Sequence, residues 1–251
     1  MKPFERRKAL LNTLYINNMV NVNELSKEFN VSEETIRRDL EKLEKEGVVE
    51  RTYGGATLVQ NRELPYSVRH NRNISSKVKI AKKINKIIEN NQTLFTDSSS
   101  TVHESLKQLA ISDKKIHVIT NAVNALSELN QSSIEITSTG GKLLKHSSAL
   151  VGPLTTQTIS KFRPEYALIS CKSLSADGEI SDSNEYEAHI KELMINRAEK
   201  VILTIDSSKF YTNSLIKFAE LKDINYIVSD KESYDQHLNE MFNHHGIEII
   251  Q

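Results

Sequence analysis

Three short apolar periodicities occupy the first fifty residues. From about Phe4 to Asn17, Leu10, Leu11 and Leu14 set the stripe of a helix. Leu25 and Phe29, four apart, predict a second, shorter helix that Asn21 or Asn23 can cap. Asn30-Val31 predicts a tight turn, and Ser32 is placed to cap a third helix, in which Ile36, Leu40 and Leu43 recur at i, i+4 and i+7. Glu33 and Glu34 suit the positive end of that helix, and Gly47 predicts its stop. Val48 to Tyr53 then reads as a strand and Gly54-Gly55 as a turn.

The pattern changes further on. Thr57 to Asn73 holds no periodic run, and Pro65 among scattered polar residues predicts a linker. Ser75 or Ser76 can cap a helix with Ile80, Ala81, Ile84, Ile87 and Ile88 on one face and Lys79, Lys82, Lys83 and Lys86 over the rest. Beyond Asn91, β-branched runs alternate with helical segments: Thr93–Thr96, His117–Thr120, Ile134–Thr137, Ala167–Ser170, Val201–Ile205, Tyr226–Val228 and Glu248–Ile250. Such alternation predicts an α/β domain with a mostly parallel sheet. The expected organisation is a small head over 1–57, a linker over 58–74 and an α/β domain over 75–251.

Composition narrows the class. The 251 residues are 38% hydrophobic and 26% charged, which excludes a wholly disordered chain. A single cysteine, Cys171, excludes an intramolecular disulfide and fits a reducing compartment. The charged start and the lack of any run near ~18 apolar residues predict a cytoplasmic protein with no membrane partner. Net charge is zero, yet it is unevenly spread: residues 1–60 carry ten of each sign, 61–89 eight basic against two acidic, and the remainder 15 against 21. A neutral head, a basic connector and an acidic body suggest two units with different tasks.

The third helix carries the first chemistry. Counting about 100° per residue from Ile36, Glu34, Arg37, Arg38, Glu41 and Lys45 fall opposite the apolar stripe and point outward. A short helix, a tight turn and a capped helix with two adjacent arginines is the pattern of a helix-turn-helix, whose second helix enters the major groove. Arginine suits that place because its fork holds phosphate oxygens or the guanine edge bidentately. Ser32 to Leu43, centred on Thr35-Ile36-Arg37-Arg38-Asp39-Leu40 and followed by Arg51 and Tyr53-Gly54-Gly55-Ala56, resembles the N-terminal winged helix of the DeoR family of bacterial transcription regulators. The resemblance implies that Ser32, Glu34, Thr35, Arg37 and Arg38, with Arg51, Tyr53 and Gly54 of the wing, face operator DNA. Tyr53 stands where the family usually has histidine.

In a parallel sheet the ligand binds beyond the carboxyl ends of the strands. The runs are succeeded there by Asp97-Ser98-Ser99-Ser100-Thr101, Asn121, Thr139-Gly140-Gly141, Cys171-Lys172 and Asp206-Ser207-Ser208-Lys209. Hydroxyls and free amides at helix starts can hold a phosphate, while Asp97 or Asp206 can accept from sugar hydroxyls. Of these, Asp97 to Thr101, Asn121, Gly140-Gly141 and Asp206 to Lys209, with Thr120 and Leu150-Val151-Gly152, are similar in order to the effector-binding domain of the same family. The similarity implies a ribose-phosphate-isomerase-like fold that senses a phosphorylated sugar; with the strand ends read together, the expected effector set is Asp97, Ser98, Ser99, Ser100, Thr101, Asn121, Gly140, Gly141, Lys172, Asp206 and Lys209. Ser98 to Ser100 replace a glycine common in the family, and Glu165 replaces an aspartate.

No phosphate-binding Gly-Lys loop and no nucleophile elbow occurs. His244-His245 and the set Glu185, Glu187 and His189 lack a zinc spacing and are expected at the surface. No catalytic group, cofactor or metal is expected. The resulting expectation is a homo-oligomeric repressor, dimer or tetramer, of a sugar operon. The rival is an aldose–ketose phosphate isomerase with an added winged helix, for which Asp97 or Glu187 would be the base.

Overall fold

A computed structural model describes residues 2–17, 19–58 and 66–250. The chain divides at Arg72/Asn73 into two units. The first contains α1 (Pro3–Asn17), β1 (Met19–Asn21), α2 (Val22–Glu28), α3 (Glu33–Lys45), β2 (Val49–Thr52), β3 (Gly55–Leu58) and α4 (Tyr66–Asn71). Leu10 and Leu14 of α1, Leu25 of α2, and Ile36, Leu40 and Leu43 of α3 close on one another as a single buried cluster with Val20, Val49 and Ala56. Each leucine, isoleucine and valine among them contributes roughly 1.5–3 kcal/mol by leaving water.

Local chemistry sets the turns of this unit. Asn21 caps α2 by accepting from the Asn23 N–H, Asn30 takes a left-handed φ of 51°, and Ser32 Oγ accepts from the Thr35 N–H at 3.2 Å. Gly47 ends the α3 segment at φ 73°. The strands β1, β3 and β2 form an antiparallel sheet in that order. Thr52 pairs with Gly55, so the hairpin turn is Tyr53-Gly54 and not Gly54-Gly55. Gly55 lies inside β3, where an added Cβ would stand 1.8 Å from the Val20 carbonyl oxygen. Its glycine is required by the close approach of β1. The expected linker also needs correction, because Tyr66–Asn71 is helical; residues 59–65, including Pro65, lie outside the described residues.

The second unit begins with α5 (Ile74–Ile87). Its N-cap is Asn73 in a left-handed conformation and not Ser75 or Ser76. Next come β4 (Thr93–Thr96), α6 (Ser100–Ile111), β5 (His117–Thr120), α7 (Val123–Glu128), β6 (Glu135–Ser138), β7 (Lys142–Leu144), β8 (Ala149–Val151), α8 (Pro153–Ser160), β9 (Tyr166–Ser170), β10 (Ser173–Leu174), β11 (Glu179–Asp182), α9 (Glu185–Arg197), β12 (Lys200–Ile205), β13 (Ile216–Glu220), β14 (Tyr226–Ser229), α10 (Gln236–His244) and β15 (Glu248–Ile250). A parallel sheet of seven strands runs β15-β14-β12-β9-β4-β5-β6.

Strand periodicity explains its two covered faces. Leu94, Val118, Leu168, Ile202 and Val228 pack with α5, α6 and α7, while their neighbours Phe95, Ile119, Ile169, Leu203 and Ile227 pack with α8, α9 and α10. Successive side chains point to opposite faces, so runs buried on both sides become continuously apolar. Chain order reverses direction between β4 and β9: the chain proceeds from β4 to β5 and β6 on one side, then returns to β9 on the other. A smaller antiparallel sheet, β10-β11-β13, and the β7-β8 hairpin complete the unit.

Candidate functional site

The outward face of α3 matches its periodicity. Ser32, Glu34, Arg37 and Arg38 are exposed and Thr35 is half-buried. Arg37 Nη2 donates to Glu33 Oε2 at 2.9 Å and Arg38 Nε to Glu34 Oε1 at 3.1 Å, both one helical turn apart. Ion pairs this exposed are weak and exchangeable. Arg51 lies beside Glu44 at 3.8 Å, and Tyr53 projects fully into solvent from the hairpin tip next to Gly54. The inner side of α3 holds a group that periodicity does not reveal: Asp39 is buried between Arg6 at 2.5 Å and Arg7 at 3.5 Å. Its place within the Arg-Arg-Asp-Leu run is the available signal.

The carboxyl edge of the seven-stranded sheet holds the second candidate site. Asp97, just past β4, is buried at the reversal of strand order. Its Oδ1 accepts from the Ser99 N–H at 3.0 Å and its Oδ2 from the Ser170 N–H at 3.1 Å, which ties the ends of β4 and β9 together. Lys191 Nζ of α9 stands 3.3 Å from the same oxygen and also donates to Asp182 of β11. Ser98 Oγ donates to Glu187 Oε1 at 2.9 Å, Ser99 caps α6, and Ser100 and Thr101 are buried in its first turn. Glu187, expected at the surface, is buried instead. Lys191 and Asp182 are additions that sequence reasoning misses; the one hint is the helical spacing from Glu187 to Lys191.

Lys209 links the next two strand ends. Its Nζ donates to the Cys171 carbonyl at 2.7 Å and to Ser170 Oγ at 3.4 Å, and lies 3.4 Å from Asp206 Oδ2. About a fifth of its side chain remains exposed, against 3% for Asp206. Asp206 Oδ1 accepts from the Ser208 N–H at 3.2 Å and from Asn73 Nδ2 at 3.2 Å. Lys172 is half-buried and its N–H donates to the Ser181 carbonyl.

On the other side of the reversal, Asn121 Nδ2 donates to the Leu150 carbonyl at 3.1 Å, while its Oδ1 is buried with no hydrogen-bond partner among the described residues. Gly140, at φ 65°, has open space where a side chain would stand. Gly141 behaves otherwise: at φ 123°, an added Cβ would meet Thr155 Oγ1 at 2.2 Å and the Val151 carbonyl at 2.7 Å. Internal packing alone therefore requires a glycine here. Among the described residues no hydrogen bond joins Asn121 or Gly140 to Asp97 or Lys209, although Asp97 and Asn121 follow the paired residues Thr96 and Thr120 of adjacent strands. Glu165, at the substituted family position, accepts from the Thr93 N–H at 3.0 Å.

Electrostatics separate structural charges from available ones. Burial alone would lower the Lys191 pKa, but Asp182, Asp97 and Glu187 outweigh it and hold the ammonium above the ordinary lysine value. Burial would likewise raise Asp206, yet Lys209, Ser208 and Asn73 hold it below the ordinary aspartate value. Burial pushes the Cys171 thiol up to about 12. Lys209 combines a cation, partial exposure and a position at strand ends. The edge therefore offers a cationic donor, open space beside Gly140, whose own N–H and carbonyl are bonded to Ser138 and Thr155, and a buried acceptor at Asn121.

Both units have relatives. Residues 6–62 match the family described as DeoR-like helix-turn-helix domain, and residues 72–231 that described as DeoR C terminal sensor domain. The HTH-type transcriptional regulator YulB of Bacillus subtilis is 36% identical over 229 residues, covering 90% of this chain and 88% of that one. The HTH-type transcriptional repressor GlcR of the same species is 32% identical over 249 residues, covering 98% and 95%. The L-fucose operon activator of Haemophilus influenzae is 35% identical, covering 84% and 86%. Among solved structures, ribose 5-phosphate isomerase A of Methanocaldococcus jannaschii overlays 55% of each chain at a TM-score of 0.41 and 12% identity. With a capped recognition-type helix in one unit, a strand-end site in the other and a family match to each, the chain belongs to the DeoR family of helix-turn-helix transcription regulators.

Proposed function

We propose that the protein represses a sugar-metabolism operon and that a phosphorylated sugar, bound at the carboxyl edge of the seven-stranded sheet, changes its hold on the operator. Ser32, Thr35, Arg37 and Arg38 enter the major groove, with Glu34 at the helix start, while Arg51, Tyr53 and Gly54 approach the backbone. A single head spans few base pairs, so the working form is a homo-oligomer, dimer or tetramer. In the sensor unit Lys209 meets the phosphate as a point charge, Asn121 meets a sugar hydroxyl, and the missing side chain at Gly140 leaves room for the sugar. Lys172 lies one residue past the strand end that Lys209 grips. Asp97, Ser98, Ser99, Ser100, Thr101, Gly141 and Asp206 shape the walls from behind.

The observation that carries this reading is the Asn121 acceptor, buried without a donor among the described residues on the same edge as the partly exposed Lys209 ammonium. A buried polar atom costs free energy until something bonds it, and a sugar hydroxyl supplies that bond. The names of several relatives point the same way, among them the Glycerol-3-phosphate regulon repressor of Escherichia coli. On this reading the site binds and does not turn over: linkage between ligand and DNA is the whole output.

The experiment selects operator fragments from genomic DNA with the purified protein, then titrates phosphorylated sugars and their unphosphorylated parents against the retained complex. At least one phosphorylated compound is expected to change operator affinity about 5–150-fold, the usual range of allosteric coupling. Parents acting as strongly as their phosphates, or no compound acting, would overturn the reading. Isomerised product in the same mixtures would favour the enzyme instead.

A further inference from the structure

Asn73 is the first residue of the second unit, and its side chain is not used as a helix cap. It sits at the N-cap of α5 with φ 51° and no capping hydrogen bond. Its amide instead reaches across 133 positions of sequence to Asp206 Oδ1 at 3.2 Å, and also to Ser208 Oγ at 3.3 Å. The other oxygen of Asp206 faces Lys209, the cation at the strand ends. One carboxylate thus has the candidate ligand cation on one side and the first residue after the head on the other.

We propose that Asn73 relays occupancy of the strand-end site to the junction between the units, an inference that rests on the effector reading above. Asp206 is held ionised and oriented by Lys209, against the cost of its burial. A phosphate dianion that takes up the Lys209 ammonium weakens that hold and adds negative charge beside the carboxylate. Asp206, no longer pinned through Oδ2 and repelled by the phosphate, turns so that Oδ1 leaves Asn73. The residue released is the one whose left-handed backbone sets how the chain enters α5, and the first turn of that helix closes on it through the Lys77 N–H to the Asn73 carbonyl at 3.1 Å. A non-glycine residue keeps a positive φ where its surroundings hold it, so loosening the side chain frees the backbone to relax.

The test uses the full chain, operator DNA that it retains, and glucose 6-phosphate, glycerol 3-phosphate and fructose 1-phosphate as probes. Asn73→Gly keeps the backbone conformation accessible and deletes the amide. With the probe that acts on the wild type, the variant is expected to bind the probe comparably while the resulting change in operator affinity falls below about twofold. A variant that keeps the wild-type change overturns the relay. A ligand-free arm reads amide exchange at Lys77: Lys209→Met, at a side chain that makes no hydrogen bond or ion pair with Asn73 or α5 among the described residues, is expected to speed exchange as Asn73→Gly does, with the double variant adding little. Unchanged protection in Lys209→Met also overturns the relay, whether or not a probe binds. Failure of every probe to bind counts against the effector reading and leaves the exchange result to decide the relay.

Discussion

Arg6 Nε donates to Asp39 Oδ2 at 2.5 Å, joining α1 to α3 across 33 positions of sequence with both side chains buried. Arg7 adds a longer contact to the other oxygen, at 3.5 Å. The pair fixes the helix that bears Arg37 and Arg38 against the helix that begins the fold. Removing one partner of a buried pair strands the other charge at a cost of about 3–5 kcal/mol. Asp39→Ala should therefore lower the stability of the head, seen as faster amide exchange along α1 and α3. Arg6→Met with Asp39→Leu should recover much of the loss, because the charge it leaves behind, Arg7, is about a quarter exposed and can turn to water. Wild-type protection in Asp39→Ala would show that the contact contributes nothing.

Elements that bury residues by period are legible in the sequence. The seven parallel strands emerge because Leu94-Phe95, Val118-Ile119 and Leu168-Ile169 face two covered sides, so the runs are continuously apolar. The pairings β7-β8 and β10-β11-β13 are not legible: Ser173–Leu174 is two residues long, and β11 mixes acidic and apolar positions. The same limit applies to the site. Asp97, Asn121 and Asp206 stand directly after apolar strand runs, a position that the sequence displays. Lys191 has no such marker, because its partners come from the end of β4 and from a small antiparallel sheet whose pairing is set by tertiary contact. Gly141 is conspicuous as half of a glycine pair, yet the reason for it is hidden, since Thr155 lies fourteen positions further on.

The recognition face predicts a clean separation of binding from folding. Arg37→Ala with Arg38→Ala deletes two exposed pairs worth about 0.3–0.5 kcal/mol each, so thermal stability should hardly move. Operator affinity should fall by about 1–3 kcal/mol for each arginine that reads a base, and the salt dependence should flatten by about one unit for each that meets a phosphate. Fluorescence anisotropy over a salt series measures both. Unchanged affinity would remove α3 from the groove.

Two glycines predict destabilisation without any ligand. Gly55→Ala places a Cβ 1.8 Å from the Val20 carbonyl, and since backbone cannot give way as a side chain tip can, β1 must part from β3. Loss of operator binding with weakened exchange protection in the β1-β3-β2 sheet is the expected result. Gly141→Ala collides with Thr155 Oγ1 and the Val151 carbonyl and also strains a positive φ, so it should lower the melting temperature of the sensor unit with no sugar phosphate present. Gly140→Asn should be tolerated, because space is open there and asparagine accepts a left-handed backbone. Equal melting of the Gly140 and Gly141 variants would contradict the distinction between these neighbours.

Cys171 predicts an alkaline limit to stability. Burial raises its thiol from an ordinary value near 9.0 to about 12, with Lys209 and Lys191 opposing the rise incompletely. Because the folded value lies above the unfolded one, the contribution is fully present below about pH 9 and is lost as pH climbs from there toward 12. In that window the unfolded chain has released a proton that the folded chain keeps, so stability falls by up to about 1.4 kcal/mol per pH unit from this group alone. Urea denaturation of wild type and Cys171→Ala at pH 8, 9.5 and 10.5 isolates the thiol, since Lys191 and the other lysines titrate in both proteins. The wild-type curve should decline more steeply than that of the variant. At pH 8 the native thiol should resist alkylation by iodoacetamide until urea opens the fold, because only the thiolate reacts and burial denies it. Parallel pH curves, or rapid alkylation of the folded protein, would place Cys171 in contact with solvent and remove it from the packed end of β9.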